Sequence, residues 1–353
     1  SYLDDGIPAY CLDYCSYVGV ALLEKYIVTE LCGARYATGF GQLINNIKVK
    51  LAMKLALNDL LKRDDQPGLS HTYGNSIDHW DHDVDANYGI TSQELLAEIL
   101  LERKYRTGCA IMPIPITEKI AVPTIEVIKN IRAVAHRLEE MAPAWDELID
   151  FAPVEELRDV LKENGVKFFD SILKGFKESG VDIEDPLQML LVLKRFSPVK
   201  LEAMFHPSLY ETGGAEIKPV IPTSIAAQSL DERARIVNEL RNEGLENSLR
   251  GKKAVVVSAD AHWYGAFVVD GVLSDLGAQV VNGGVGMSTV EALDLADEEG
   301  INTLCISVHN GQALDYGKQL LQLAKERNKQ YEIYMGGKLN AILPGHSEPS
   351  DVT

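Results

Sequence analysis

The sequence predicts an α/β protein built from three parts. Residues 251–353 contain short runs of apolar, largely β-branched residues that alternate with helical patterns, as in a doubly wound parallel sheet. Near the start of the chain, helical and extended patterns alternate in the way that a (β/α)8 barrel produces. Between these parts, leucines recur at the spacing of amphipathic helices. We therefore expect part of a (β/α)8-barrel catalytic domain in residues 1–120, a helical accessory region and linker in residues 121–250, and a doubly wound domain in residues 251–353.

The opening segment carries the barrel-like pattern. Residues 16–32 form an amphipathic helical pattern, residues 33–39 a short strand pattern that ends in glycine, and residues 44–62 a second helix rich in alanine, leucine and lysine. So short a stretch cannot close a barrel of eight strands. We therefore expect the rest of the barrel to lie upstream or on a second subunit. Residues 347–353 resemble a helix cap and first turn, so we also expect a further helix beyond them.

A cluster of polar residues follows the second helix. Because the loops after barrel strands line the active site, His71, Tyr73 and Asn75 are candidates for contact with a small-molecule substrate. Residues 78–83, DHWDHD, hold two histidines and three carboxylates, which are ligands for a divalent metal ion. The same pattern is also typical of an acidic surface loop or of a substrate-contact loop without metal, and it is this interpretation that we favour.

The middle of the chain is predicted to be helical. Its charged residues lie opposite the leucine stripe, and glycine or proline separates several of the segments. The predicted helices are residues 123–141, 154–164, 168–179, 185–195 and 230–249. Residues 207–222 have the proline, glycine and glutamate content of a linker. We expect an accessory helical layer here rather than a catalytic site.

The first strand of the C-terminal part leads into a candidate metal ligand. Residues 252–258, KKAVVVS, predict a buried parallel strand, and the loop after such a strand lies at the edge where open α/β sheets bind ligands. His262 lies on this loop, and imidazole is a good ligand for a borderline transition metal. Asp260 could accept the proton of the other ring nitrogen and fix the tautomer, while Gly265 leaves room for a ligand. The alternative is a helix-capping aspartate beside an incidental surface histidine.

Three further strands are predicted to end in small or polar residues. These strands are residues 278–282, 301–307 and 331–335. Ser307 ends the middle one of the three, where its hydroxyl can hydrogen-bond a ligand, and Gly336 and Gly337 follow the last, where bare backbone can lie against one. A glycine-rich turn follows the first of them and is either a turn that needs positive φ or a direct ligand contact. The candidate residues in this turn are Gly283, Gly284 and Ser288.

In this order and at these intervals, the motifs resemble the cobalamin-binding domain of B12-dependent mutases and of methionine synthase. That family carries D-x-H-x-x-G, then S-x-L, then G-G. The resemblance implies a Rossmann-like, flavodoxin-like domain that binds the corrinoid with its own base displaced and with His262 on the lower face of cobalt. The implied cofactor contacts are Asp260, His262, Gly265, Gly283, Gly284, Ser288, Ser307, Gly336 and Gly337. His309 departs from the pattern, because the family usually has leucine at that place.

Within this family, several segments are similar to glutamate mutase. Those similar to its small subunit are residues 280–288 and 310–312, and those similar to the barrel of its large subunit are residues 19–25, 33–35 and 54–60. The related lysine and ornithine aminomutases carry a lysine that binds pyridoxal phosphate eleven residues after the cobalt-ligating histidine, but this chain has Leu273 there. The resemblance implies an adenosylcobalamin-dependent isomerase for a radical 1,2-rearrangement of an amino acid or small dicarboxylate, in a homo-oligomer. The alternatives are an aminomutase that uses pyridoxal phosphate and B12, and a corrinoid methyl-carrier protein.

Composition limits the classes of partner. A net charge of −18 argues against binding to nucleic acid or to an acidic membrane surface, because phosphate groups attract clustered lysine and arginine. No apolar run approaches the roughly 18 residues of a membrane span. The five cysteines form no dense framework, which indicates a reducing compartment, so we expect a cytoplasmic protein.

Overall fold

The computed structural model of this chain is a mixed α/β protein with parallel sheets. The residues that it describes are 11–64, 68, 70–77, 79–120, 122–193, 196, 198–209, 217–260, 262, 264–309, 311–342 and 349–352. Among these residues, no helix combines the length and the apolar character that a membrane crossing requires. The chain divides into two compact units, Ser1–Ala226 and Ala227–Thr353. The division falls earlier than the predicted domain boundary at residue 250.

Unit 1 contains a parallel sheet of three short strands in chain order. The strands are β1 (Gly39–Phe40), β2 (His71–Tyr73) and β3 (Ala110–Met112). Their register places Gly39 beside His71 and His71 beside Ala110. Helix α2 (Ile47–Leu61) connects the first two strands, and α3 (Val84–Tyr105) connects the last two. The strand that we predicted in residues 33–39 is shorter and begins only at its last glycine.

The other helices of unit 1 lie before and after this sheet. They are α1 (Tyr14–Lys25), which continues as one π-helical segment (Tyr26–Leu31), α4 (Ile125–Met141), α5 (Ala152–Glu178), α6 (Pro186–Leu193) and α7 (Pro198–Phe205). Side chains cap several of the helices, since Asp13, Asn46, Asp83 and Thr124 each accept a hydrogen bond from a backbone N–H of the first turn. The predicted helix in residues 44–62 is confirmed to within a few residues.

Helix α5 is one helix where we predicted two. Gly165, which lies between the predicted pair, does not end the helix but lets it approach α1. A Cβ on Gly165 would lie 2.5 Å from Cγ1 of Val18, and a Cβ on Gly19 would lie 2.5 Å from Cδ1 of Phe168. Each helix thus places a glycine against a side chain of the other, and the packing outweighs the low helix propensity of glycine.

The predicted linker in residues 207–222 is anchored where the structure describes it. The backbone N–H groups of Val220 and Ile221 donate to the carboxylate of Asp13, and Pro222 forms a β-bridge with the same residue. Helix α8 (Ser224–Asn242) follows directly, so it begins and ends earlier than the helix predicted in residues 230–249. Gly244 then adopts a φ of +78°, the left-handed conformation that commonly ends a helix.

Unit 2 contains a parallel sheet of four strands in the order β5-β4-β6-β7. Strands and helices alternate along the chain as β4 (Lys253–Ser258), α9 (Tyr264–Asp275), β5 (Gln279–Gly284), α10 (Thr289–Glu298), β6 (Thr303–Val308), α11 (Ala313–Glu326) and β7 (Glu332–Gly337). The four strands overlap the four predicted ones. Alternate residues of the two central strands, such as Val255 and Leu304, are completely buried and pack in one core with Leu293 and Leu320 of α10 and α11.

The last described residues form a short antiparallel hairpin. Strand β8 (Asn340–Ile342) pairs with β9 (Pro349–Asp351), with Ala341 opposite Ser350. The expectation that residues 347–353 begin a helix is therefore wrong for residues 349–351. Proline cannot donate to a sheet, but at the first position of a strand it leaves the remaining ladder intact.

Candidate functional site

The carboxyl ends of β4, β6 and β7 lie side by side in the sheet of unit 2. The strand register pairs Ser258 with Ser307, and Ser307 with Gly336. The loop after β4 carries Asp260 and His262. Candidate residues that are far apart in the sequence are therefore brought to one edge of the sheet, the edge at which open α/β sheets bind ligands.

The carboxylate of Asp260 organises the hydrogen bonds at this edge, and its side chain is only 4 % exposed. Its Oδ1 accepts from the backbone N–H of His262 and lies 2.9 Å from Nδ1 of the same residue. Its Oδ2 accepts from the backbone N–H of His309 at 2.6 Å. The backbone carbonyl oxygen of Asp260 accepts from the backbone N–H of Gly286 at 2.9 Å. Asp260 thus connects the three loops that follow β4, β5 and β6.

The hydrogen bond to Asp260 fixes the tautomer of the His262 imidazole. An ionised carboxylate only accepts hydrogen bonds, so Nδ1 carries a proton, and in the neutral imidazole Nε2 presents its lone pair. None of the residues that the structure describes hydrogen-bonds Nε2, and the side chain is 40 % exposed. Helix α9 begins at Tyr264, and the carboxylate accepts the backbone N–H of His262 just before that helix. Such a carboxylate–histidine pair could hold a metal ion through Nε2.

A second imidazole lies beside the first. The ring of His309 packs against that of His262, with centroids 4.7 Å apart and planes inclined by 37°. Burial lowers the pKa of His309 below its ordinary value, and the neighbouring His262 lowers it further. The sequence identified His309 only as a departure from the family pattern, because its contact with His262 depends on the register of two strands.

A cavity of about 210 Å³ opens next to this edge. Four of the predicted cofactor contacts line it, namely Gly265, Ser307, Gly336 and Gly337. The remaining wall is almost entirely apolar and consists of Val256, Ala266, Val269, Cys305, Ile306, Tyr334 and Met335. Tyr334 is 61 % exposed, so the cavity is open to solvent along this strand. Such a cavity suits a flat apolar group that carries a few polar atoms.

The glycines of the cavity differ in what they allow. A Cβ on Gly265 would lie 2.6 Å from Oγ of Ser307, so a side chain at this position would displace the Ser307 hydroxyl. Gly337 has a φ of +109° and its Cβ would lie 2.3 Å from the carbonyl oxygen of Val308. Gly336 has nothing within 4 Å of its Cβ position. A side chain at Gly336 would therefore enter the cavity without straining the backbone.

The glycine-rich turn after β5 borders the site without lining the cavity. Gly283 packs against Val257 and Leu295, and Gly284 adopts a φ of +88°. Ser288 caps α10, since its hydroxyl and backbone N–H take part in a reciprocal capping box with Glu291. These contacts are structural ones within unit 2. They leave the predicted cofactor contacts of this turn as a prediction.

In unit 1, the structure distinguishes among the three predicted substrate contacts. His71 and Tyr73 are half-buried at the ends of β2, with ring centroids 5.3 Å apart, and burial lowers the pKa of His71. Asn75 is completely buried. Its amide accepts from the backbone N–H of Ile114 at 2.7 Å and donates to the carbonyl of the same residue at 3.0 Å. Asn75 therefore fastens the loop after β3, and its polar atoms are already in use.

The acidic segment of unit 1 begins helix α3. Asp83 is its N-cap, and Asp81 accepts from the backbone N–H of Asp83 at 2.7 Å. Trp80 is buried, whereas His79 and His82 are exposed. Within the described part of the chain, no group of three or more histidine, cysteine, aspartate or glutamate side chains is arranged to hold a metal ion. Asp78 lies outside the described residues.

Two buried polar clusters of unit 1 were not predicted. Lys54 and Glu98, from α2 and α3, form an ion pair of 3.0 Å in which both side chains are fully buried. Asp13 lies 3.3 Å from Nε2 of His206, and Glu202 accepts the backbone N–H of Asp13 at 3.0 Å. Burial raises the pKa of Glu202 to about 7. The sequence signal for the first cluster was the presence of lysines among the apolar residues of α2, but only packing of helix on helix identifies the partner of Lys54.

Comparison with protein-family models and with curated proteins finds no match to this chain.

Proposed function

We propose that unit 2 binds a corrinoid cofactor, with Nε2 of His262 as the lower ligand of cobalt and the displaced nucleotide tail in the cavity beside it. The observation that carries the proposal is that Gly265, Ser307, Gly336 and Gly337 line one cavity at the sheet edge that also carries the Asp260–His262 pair. These residues belong to separate motifs of one cofactor family. Their convergence supports the resemblance independently of the intervals in the sequence.

The residues present fit such a cofactor. A cobalt ion takes an imidazole nitrogen readily, and His262 offers Nε2 while Asp260 holds the other ring nitrogen. The tail ends in a flat aromatic base, which suits the apolar wall that includes Val256 and Tyr334. The Ser307 hydroxyl supplies a polar partner within this wall. The strand order β5-β4-β6-β7 is also the one that a flavodoxin-like domain has for its first four strands.

We further propose that the chain is part of an adenosylcobalamin-dependent isomerase. The chemistry that this cofactor supplies when bound is reversible homolysis of its cobalt–carbon bond. The residues of this chain would hold it, since His262 ligates, Asp260 orients the imidazole and Ser307 with the glycines accommodates the tail. Leu273 lies in α9, at the position of the pyridoxal-binding lysine of the aminomutases. A leucine side chain cannot form an imine, so pyridoxal phosphate is not part of the proposal.

The substrate side of the proposal rests on unit 1. Its three parallel strands are adjacent in chain order, as consecutive strands of a (β/α)8 barrel are. Three strands do not close a barrel, so we propose that a second subunit or another segment of the enzyme completes it. His71 and Tyr73 at the end of β2 remain the candidates for contact with an amino acid or small dicarboxylate. We also propose a homo-oligomeric, cytoplasmic enzyme.

The decisive experiment is electron paramagnetic resonance of cob(II)alamin bound to the protein. If the cobalt ligand is a protein imidazole, labelling the histidines with ¹⁵N should change the superhyperfine pattern from triplets to doublets. The pattern should disappear in His262→Gln, while cobalamin with its own base labelled should give no change. A triplet that survives both ¹⁵N labelling and the His262→Gln substitution would overturn the proposal.

Thiol labelling tests the tail site separately. Cys305 is half-buried on the cavity wall, whereas Cys32 is exposed and serves as the internal control. We expect cobalamin to slow alkylation of Cys305 and to leave that of Cys32 unchanged. Equal alkylation of Cys305 with and without saturating cobalamin would show that the tail lies elsewhere.

The test of the reaction class requires the complete enzyme. We expect tritium exchange between the 5′ carbon of adenosylcobalamin and the substrate, without pyridoxal phosphate and without a methyl donor. Methyl transfer from methylcobalamin to a thiol, in the absence of tritium exchange, would identify a methyl carrier instead.

A further inference from the structure

Two hydrogen bonds between described residues attach the loop after β6 to the loop after β4. The backbone N–H of His309 donates to Oδ2 of Asp260 at 2.6 Å. The side-chain amide of Gln312 donates to the carbonyl of Ala259 at 3.4 Å. The start of the His309 loop is also held from the other side, since the carbonyl of Val308 accepts from the backbone N–H of Lys338 at 2.9 Å. The backbone at His309 is therefore held by contacts that do not involve its own ring.

From this fixed position, the ring of His309 packs against His262. The centroid distance of 4.7 Å and the inclination of 37° are those of a tilted stack in direct contact. The Asp260 bond restrains one nitrogen of the His262 ring, but a single hydrogen bond still allows concerted rotation about the Cα–Cβ and Cβ–Cγ bonds. A second ring against its face removes this rotation.

We propose that His309 is a positioning residue for His262, and that its ring holds the imidazole in the orientation in which Nδ1 bonds to Asp260 and Nε2 is free to ligate a metal. The functional consequence rests on the proposed corrinoid site, whereas the positioning itself is a property of the protein without cofactor. Orienting the ligand before it binds reduces the ordering that binding requires, which is how preorganised sites gain affinity.

The first experiment measures the His262 ring in the cofactor-free protein. With ¹³Cε1-labelled histidine, ring relaxation by nuclear magnetic resonance reports the order of each imidazole, and the His262→Gln spectrum assigns the signal. We expect an ordered His262 ring in the wild type and in His309→Phe, which keeps a ring without nitrogen. We expect a mobile ring in His309→Ala. Equal order of the His262 ring in the wild type and in His309→Ala would overturn the proposal.

A matched control separates positioning from simple anchoring of the loop. Gln312→Ala removes the other side-chain contact of the same loop and leaves the ring stack in place. The His262 ring should stay ordered in this variant, because the backbone N–H of His309 still bonds to Asp260. If Gln312→Ala mobilises the His262 ring as much as His309→Ala does, the stack has no specific role and the proposal fails.

The second experiment measures the consequence for binding. Cobinamide lacks the nucleotide tail, so its protein ligand is the imidazole alone. We expect His309→Ala to weaken cobinamide binding by roughly 2- to 10-fold, the range that an aromatic pair contact contributes, and His309→Phe to restore it. A mobile His262 ring in His309→Ala, with no cobinamide binding by any variant, would leave the positioning confirmed and the corrinoid function wrong. If cobinamide binds and His309→Ala has the affinity of the wild type, His309 does not position His262 for ligation and the proposal fails.

Discussion

The substitution Asp260→Asn tests how the protein prepares His262 as a ligand. Among the described contacts of the carboxylate are three N–H groups, two from His262 on Oδ1 and one from His309 on Oδ2. An amide of nearly the same shape offers one oxygen and one NH₂ group. If the oxygen stays with His262, the N–H of His309 faces an NH₂ group, and in the flipped orientation the NH₂ group faces His262 and forces the proton to Nε2. Each orientation leaves a backbone N–H without an acceptor, that of His309 in the first and that of His262 in the second.

The magnitude follows from this count. One buried backbone N–H without an acceptor costs about 1–3 kcal/mol in the free energy of unfolding. In the first orientation a neutral acceptor replaces a charged one, so the imidazole becomes a weaker base, and in the second the proton moves to Nε2, the ligating nitrogen. We expect cobinamide affinity to fall by about 10-fold in Asp260→Asn, the lower end of the range for partners of a metal ligand. Asp260→Ala removes every bond to the ring, and there we expect about 100-fold, or about 2.8 kcal/mol.

The assay is a titration of each variant with cobinamide, followed by visible absorbance, together with urea unfolding of the cofactor-free protein. Cobinamide isolates the metal–ligand contribution because it has no tail to occupy the cavity. The ring nitrogen shifts of ¹⁵N-labelled His262 report the tautomer directly and distinguish the two orientations of the amide in Asp260→Asn.

One result would refute this reasoning. If both Asp260 variants lose stability while their cobinamide affinity equals that of the wild type, Asp260 only fastens the loops after β4, β5 and β6. The hydrogen bond to the imidazole would then have no influence on the ligand.

Three further predictions concern the cavity and the buried charges. Gly336→Phe should fill the cavity and weaken cobalamin binding by about 100-fold, since a buried aromatic base contributes about 3 kcal/mol. Cobinamide has no tail, so its binding should stay unchanged. Equal weakening of cobalamin and cobinamide binding would point to misfolding instead. Burial raises the pKa of Glu202 from 4.5 to about 7, so the stability that the protonated Glu202 confers is complete below pH 4.5 and is lost as the pH rises through about 7. The unfolding free energy should change by about 3 kcal/mol over this range. Urea unfolding at several pH values should show this dependence in the wild type and not in Glu202→Gln. Lys54→Met should lower the unfolding free energy by about 3–5 kcal/mol, because Glu98 is then buried without its cation, and the double variant with Glu98→Leu should recover most of that loss in the same assay.

Strand prediction succeeded where the residues themselves carry the reason. The run that became β4 is apolar and β-branched because both faces of a central parallel strand are covered, and Val255 to Val257 are almost fully buried. Helix boundaries were less predictable. Gly165 was interpreted as a break between helices, but contact with Val18 on α1 makes it an interior residue of α5. Such a contact lies far away in the sequence and leaves no local signal.

The sequence by itself determined the chemistry that this protein carries: which strands are buried, and which side chains and glycines lie at their ends. Asp260 and His262 are two residues apart, so a short-range hydrogen bond between them could be predicted without a fold. Only the tertiary structure decided which of these residues come together at one edge of the sheet. The order β5-β4-β6-β7 places Ser307 and Gly336 beside the loop of Asp260 and stacks His309 on His262, because strand register is set by core packing over the whole sheet.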